Sequence, residues 1–105
     1  MLSDYYEVAR DVNRAVDTLG SMKYASAEEK KAYREEHKKE LALKAPVQAI
    51  NKMLVNLKRQ EQMIREAPES RMSAEVKQEK LRRIDAQRSR LAANVARIRQ
   101  KLYNE

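Results

Sequence analysis

The sequence predicts an all-α protein: an antiparallel, coiled-coil-like helical hairpin, with two additional N-terminal helices forming a small bundle. Gly occurs once and Pro twice in 105 residues, so the chain has few places to turn. Phe and Trp are absent and 37% of residues are charged, so apolar burial must come from single stripes along helices. Large apolar residues in the segment 46–103 recur at steps of three, four or seven, as in a coiled-coil seam.

The first predicted helix covers about residues 4–19. Ser3 or Asp4 is placed to cap its N-terminus, and Glu7 completes a capping box with Asp4. Gly20 is placed to end the helix as a C-terminal cap. One face carries an apolar stripe of Tyr5, Val8, Val12, Ala15 or Val16, and Leu19. The helix is therefore short and amphipathic.

The second predicted helix covers about residues 27–44 and begins with a capping box from Ser26 to Glu29. Its apolar face is narrow and consists of Tyr33, His37 and Leu41. The surrounding charged pairs each contribute only a few tenths of a kcal/mol, so this helix must pack against another element. Pro46 then predicts a boundary or kink within 42–45, with a kinked continuous helix as the alternative.

The third and fourth predicted helices, about 46–66 and 74–103, form the hairpin. Pro68 ends the first of them, and Ser73 is placed to cap the second. Folding the chain back within 67–73 brings both apolar stripes together in one register. The facing pairs are then Ile64 with Val76, Leu57 with Ile84, Ile50 with Leu91, and Val47 with Val95.

Arg88 interrupts this seam from the fourth helix. Its guanidinium is expected either to reach solvent or to set the register, as polar seam residues do. Gln60 and Glu61 dilute the seam from the third helix.

The fourth helix is longer than its partner, so its apolar stripe continues past Pro46. Val95, Ile98 and Leu102 are therefore candidate contacts for another helix. Either the first helix covers them within the chain, using Val8, Val12 and Leu19, or a second chain does, giving a homo-oligomer. We favour the first arrangement and treat 1–105 as a single helical domain.

The net charge of +7 is concentrated in the segment 75–101, where nine basic and three acidic residues give +6. Basic side chains at seven-residue spacing, with a lysine beside them, form one stripe of candidate contacts to nucleic acid or to an acidic partner: Arg83, Arg90, Arg97 and Lys101. No aromatic residue interleaves with this stripe for base stacking, and no base-reading motif occurs.

Catalytic and cofactor sites are not expected. The chain has no Cys, and its one His, His37, finds only Glu40 as a second metal ligand on the same face. Asp85 lies among basic residues without a second carboxylate, and no phosphate loop or nucleophile motif occurs. The N-terminus lacks a secretion signal, and nowhere do about eighteen apolar residues follow one another, so no membrane span is expected.

Three runs together resemble a known helical module: AYREEHKKELAL at 32–43, IREAP at 64–68 and MSAEVKQEKLRRID at 72–85. The module occurs near the C-termini of large polyvalent and internal, ejection-type virion proteins of tailed phages. The likeness covers about residues 28–103, with Ala67-Pro68 replacing the more usual Asp-Pro. It implies a structural or interaction module of a larger virion protein, with no functional residues to carry over.

Two functions from different classes remain. The first is a non-enzymatic structural or protein-interaction module, located in the cytoplasm or the virion, with a protein partner or a larger parent chain. The alternative is a nucleic-acid-binding domain that uses the basic fourth helix.

Overall fold

The computed structural model describes residues 2–104, and the side chains of residues 3–104. Every regular element in this range is helical, which confirms the all-α class. Met1 and Glu105, the ends of the predicted domain, lie outside the described residues. The molecule is elongated, 63 × 29 × 16 Å along its principal axes. Its helices are α1 (Leu2–Ser21), α2 (Ala27–Glu36), α3 (Lys38–Ala42), α4 (Lys44–Glu66) and α5 (Ala74–Tyr103).

Helices α4 and α5 form the predicted hairpin. Ser73 caps α5, its hydroxyl accepting a hydrogen bond from the backbone N–H of Val76 at 3.3 Å. Ala67 is extended at the end of α4, as expected for a residue before proline. Helix α4 begins at Lys44, which confirms the predicted boundary and places Pro46 in the first turn, where its missing N–H costs nothing.

The core has two parts. At one end α1 packs into the hairpin, and the buried side chains there come from α1, α4 and α5. We call this set the three-helix core: Tyr5, Val8, Ala9, Val12, Val47, Ile50, Val95 and Leu102. Val8 and Val12 are its most buried members, 2% and 0% exposed. The Tyr5 hydroxyl donates to Asn51 Oδ1 at 3.2 Å, and burial raises the pKa of Tyr5.

Toward the turn, the hairpin is a two-helix structure. Its buried side chains form the hairpin core: Leu57, Ile84 and Leu91. Leu54 packs against both cores and joins them. Leu57 and Ile84 share the hairpin core, and Val47 and Val95 share the three-helix core. Across the hairpin, however, Glu61 pairs with Arg88, Leu57 lines one cavity with Leu91, and Ile64 lines another with Ile84, so the facing residues are displaced from the predicted register. Ile50 and Leu91 are both buried and line one cavity of about 330 Å³.

The predicted pair nearest the turn is wrong. Val76 is 45% exposed, whereas Ile64 packs against the hairpin core. Lys80 and Ile84, rather than Val76, line the same cavity as Ile64. Val76, in the first turn of α5, therefore lies outside the seam.

The predicted ends of α1 are also wrong. The helix begins at Leu2, so neither Ser3 nor Asp4 is its N-cap, and Asp4 lies in the first turn. It continues through Gly20 to Ser21, and Gly20 has no positive φ. The Ser21 hydroxyl donates to the carbonyl of Thr18 at 2.8 Å, which supplies a partner to the last turn without a left-handed glycine.

The predicted single helix 27–44 is broken at His37, where φ is −110° and ψ is 29°. Neither α2 nor α3 has a fully buried residue. The His37 ring lies 4.3 Å from that of Tyr33, centroid to centroid. Both α2 and the short α3 contact α1.

Candidate interaction surfaces

The overhanging stripe of α5 is covered within the chain. Val95 and Leu102 are 4% and 8% exposed in the three-helix core, and Ile98 packs against it partly buried. Val8 and Val12 of α1 supply the cover, as the sequence suggested, whereas Leu19 lies outside this core. These three positions of α5 are therefore occupied and offer no free partner-helix contact.

Polar contacts fasten the end of α5 to α1. Arg99 Nε donates to Glu7 Oε2 at 3.1 Å and lies 3.9 Å from Asp4, and this bond to Glu7 raises the pKa of Arg99. The Tyr103 hydroxyl donates to Asp11, which lowers the pKa of that carboxyl. Partial burial and the bond to Asp11 raise the pKa of Tyr103 to about 12.

These polar contacts between α1 and the end of α5 were not predicted from the sequence. The signal in the sequence is two i, i+4 pairs, Glu7 with Asp11 on α1 and Arg99 with Tyr103 on α5. Each pair lies beside the apolar stripe of its helix, and the two stripes pack against each other.

Most arginines of α5 are engaged in ion pairs. Arg82 and Arg83 both pair with Glu79, Arg83 at 3.5 Å. Arg88 pairs with Glu61 across the hairpin. These contacts are structural, because they hold side chains of the same chain together.

Three members of the predicted basic stripe differ from the engaged arginines. Within residues 2–104, Arg90, Arg97 and Lys101 form no salt bridge, and all three are exposed. Arg97 and Lys101 line a shallow depression of about 290 Å³ at the end of α5. The structure therefore brings these charges to one solvent-facing side of the helix.

The hairpin carries an open groove on the side away from α1. It consists of two adjoining cavities of about 490 and 390 Å³, which share Gln60 and Gln87. The α1 side of α5 presents Arg88, Ala92 and Val95 instead. We call the open groove formed by these two cavities the hairpin groove. Its lining residues are Met53, Asn56, Leu57, Gln60, Met63, Ile64, Ala67, Arg71, Met72, Lys80, Arg83, Ile84, Gln87, Arg90 and Leu91.

The two walls of the hairpin groove differ in chemistry. The α4 wall is neutral, and its Met53 and Met63 are 51% and 66% exposed. The α5 wall is basic, with Lys80, Arg83 and Arg90. None of the described lining residues is Asp or Glu, although the chain contains 16 acidic residues. The groove therefore combines an apolar floor with one positively charged edge.

Comparison with known proteins does not assign a function. No family model, curated protein or solved structure matches this chain. The resemblance of residues 28–103 to virion proteins of tailed phages therefore stays a prediction.

The described residues offer few other sites. Within 2–104, no three His, Asp or Glu side chains come together as metal ligands. His37 Nδ1 lies 3.8 Å from Glu40, the second ligand considered from the sequence, and Asp85 pairs with Arg88 at 3.6 Å. Over the same range, every helix is too short or too polar to cross a bilayer.

Proposed function

We propose that this chain is a non-enzymatic helical module that binds a protein partner through the hairpin groove. One observation supports this most directly: within residues 2–104, the hairpin core contains side chains of α4 and α5 only, with no third helix packed on it. A third helix closes the three-helix core, whereas Leu57, Ile84 and Leu91 lie between two helices, with Met53 and Met63 exposed above them. Apolar side chains grouped in an open groove are typical of helix-binding surfaces.

The resemblance of residues 28–103 supports the same function class. We propose on that basis that the module belongs to a virion protein, found in the particle or in the cytoplasm of the host. Its role there is to hold other chains, and no chemistry is assigned to it.

Site-specific photo-crosslinking tests the groove. A photoreactive residue replaces Gln60 or Gln87, which face the groove, or Val55, which is 51% exposed and lies outside it. We expect one partner species to crosslink from both groove positions and not from residue 55. Excess protein without the photoreactive residue should reduce this crosslinking by competition for the partner. Met63→Gln should reduce the yield of the crosslinked product. Equal crosslinking from all three positions would contradict a specific groove.

A second candidate function, nucleic-acid binding, is favoured by those basic side chains of α5 that form no salt bridge within residues 2–104. From residue 86 to 103 the helix has five basic and no acidic residues. Arg88 and Arg99 are engaged with carboxylates, which leaves Arg90, Arg97 and Lys101 for a phosphate backbone. Such contacts would position a nucleic acid without reading its sequence.

Fluorescence anisotropy with labelled duplex and single-stranded DNA tests this candidate. Changing Arg90, Arg97 and Lys101 to Gln should weaken any binding and reduce the salt slope by about one unit per lost phosphate contact. The control changes three exposed lysines elsewhere to Gln: Lys31, Lys52 and Lys58. We expect little binding at about 0.15 M salt. Sub-micromolar affinity there, lost only in the α5 variant, would favour the nucleic-acid function over the protein-binding one.

A further inference from the structure

The hairpin already accommodates a helix on its other side. Helix α1 packs against α4 and α5, and Tyr5 lines one cavity together with Leu54 and Ala92. The hairpin groove repeats this arrangement near the turn, with Leu57 and Leu91 on its floor. A cleft between two packed helices accepts a third helix by the same packing of side-chain ridges into grooves.

The dimensions of the groove suit a short helix. Met53 and Met63 stand ten residues apart on one wall, and Lys80 and Arg90 stand ten residues apart on the other. At 1.5 Å per residue, each wall is about 15 Å long. About three turns of a bound helix would contact both walls at once.

The charges of the groove select the kind of helix. Within residues 2–104, Lys80 and Arg90 form no salt bridge, and Arg83 has only Glu79 at 3.5 Å. A bound basic helix would bring like charges together, whereas an acidic one would pair with this wall. Met53 and Met63 suit a variable apolar face, because Met side chains adapt their shape.

We propose that the hairpin groove binds an acidic amphipathic helix of a protein partner. The apolar face of that helix contacts the exposed Met53 and Met63, which lie over the buried Leu57, Ile84 and Leu91, and its carboxylates face Lys80, Arg83 and Arg90. The inference rests on the proposed function and adds the chemistry of the partner.

The test is a binding titration with synthetic peptides and the full chain. The probe is a fluorescein-labelled helical peptide of about four turns, with Leu at i, i+3, i+4 and i+7 and Glu on the opposite face. A second peptide carries Lys in place of every Glu. A third contains the residues of the first in an order that destroys the apolar stripe. We expect saturable binding of the first peptide only.

Variants of the chain locate the binding site. Lys80→Glu with Arg90→Glu should weaken binding of the acidic peptide at least about tenfold and favour the Lys peptide instead. The charge-matched control is Lys52→Glu with Lys58→Glu, two exposed positions outside the groove. Met53→Gln with Met63→Gln should also weaken binding, whereas Val55→Gln should not. All seven positions are exposed, so circular dichroism should show unchanged folding.

The outcomes separate this inference from the proposed function. Equal affinity for the acidic and the Lys peptides, sensitive to Met63→Gln, would overturn the acidic assignment and leave a helix-binding groove. Failure of both amphipathic peptides, together with uniform crosslinking from residues 55, 60 and 87, would overturn both. Displacement of the acidic peptide by duplex DNA would assign the groove to nucleic acid. A dimer in light scattering that the peptide cannot enter would assign it to a second copy.

Discussion

Arg88 illustrates how a charged residue is accommodated in an apolar seam. The sequence placed it among seam positions, and the structure pairs its guanidinium with Glu61, another polar interruption of the same seam. Glu61 also accepts from Arg65 Nε at 3.1 Å. Hydrogen bonds from Arg88, and then from Arg65, lower the pKa of Glu61. Two residues that weaken the apolar stripes separately thus form an ion pair across the hairpin.

The Tyr103 hydroxyl makes the free energy of unfolding depend on pH in the alkaline range. Its pKa is raised from 10.0 to about 12 in the folded chain, so the folded chain keeps a proton that the unfolded chain releases. This contribution is fully present below pH 10 and is lost as pH rises to about 12. Tyr103→Phe removes the group, so the stability advantage of the wild type over this variant should shrink across that window. Urea unfolding midpoints at several pH values measure it.

The control for Tyr103 is Tyr24→Phe, because the Tyr24 side chain is fully exposed. Its effect on the unfolding midpoint should stay constant across the same pH range. A wild-type advantage over Tyr103→Phe that does not change with pH would show that the bond to Asp11 is absent in solution.

At the scale of the helices, burial in the seam between α4 and α5 predicts how much each truncation of a seam residue lowers the free energy of unfolding. Leu57 and Leu91 are 5% and 8% exposed, so truncating either to Ala should cost about 2–5 kcal/mol in the free energy of unfolding. Val76→Ala should cost less than about 0.5 kcal/mol, because Val76 lies outside the seam. Chemical denaturation of the three variants measures these costs. A large loss at Val76 would restore the pair with Ile64 that the structure rejects.

Removing two serine N-caps should show which helix unfolds together with the core and which helix unfolds locally. Ser73 caps α5, which carries half of the hairpin, so Ser73→Ala should destabilise the whole molecule by about 1 kcal/mol. Ser26 caps α2 in the same way, accepting from the N–H of Glu29 at 3.1 Å, but α2 has no buried residue. Ser26→Ala should therefore speed hydrogen exchange within α2 and leave the melting temperature nearly unchanged. Equal effects of both variants on global unfolding would mean that α2 folds as part of the core.

At the scale of the whole molecule, the features that could be predicted from the sequence are those that depend on a strong helical periodicity of apolar residues. The bounds of α5, the burial of Leu57, Ile84 and Leu91, and the cover of Leu102 by α1 follow from the apolar stripes, whereas the register between α4 and α5 does not. The break at His37 could not be predicted, because no Gly or Pro marks it in the sequence and α3 contacts α1, a helix distant along the chain. The hairpin groove was missed for a related reason: its walls come from residues that each helix alone presents as ordinary surface.

The packing of α1 against the hairpin decides whether this chain is a compact bundle or an open hairpin. Val12 is 0% exposed between the helices, so Val12→Asp buries an unpaired carboxylate there and should lower the melting temperature strongly. The exposed neighbour Asn13 serves as the control, and Asn13→Asp should change little. Deleting residues 1–21 should in turn uncover Val95 and Leu102, so the remaining hairpin should melt earlier and self-associate in light scattering. If Val12→Asp and Asn13→Asp melt alike, α1 is detached in solution and the stripe of α5 is free for another chain.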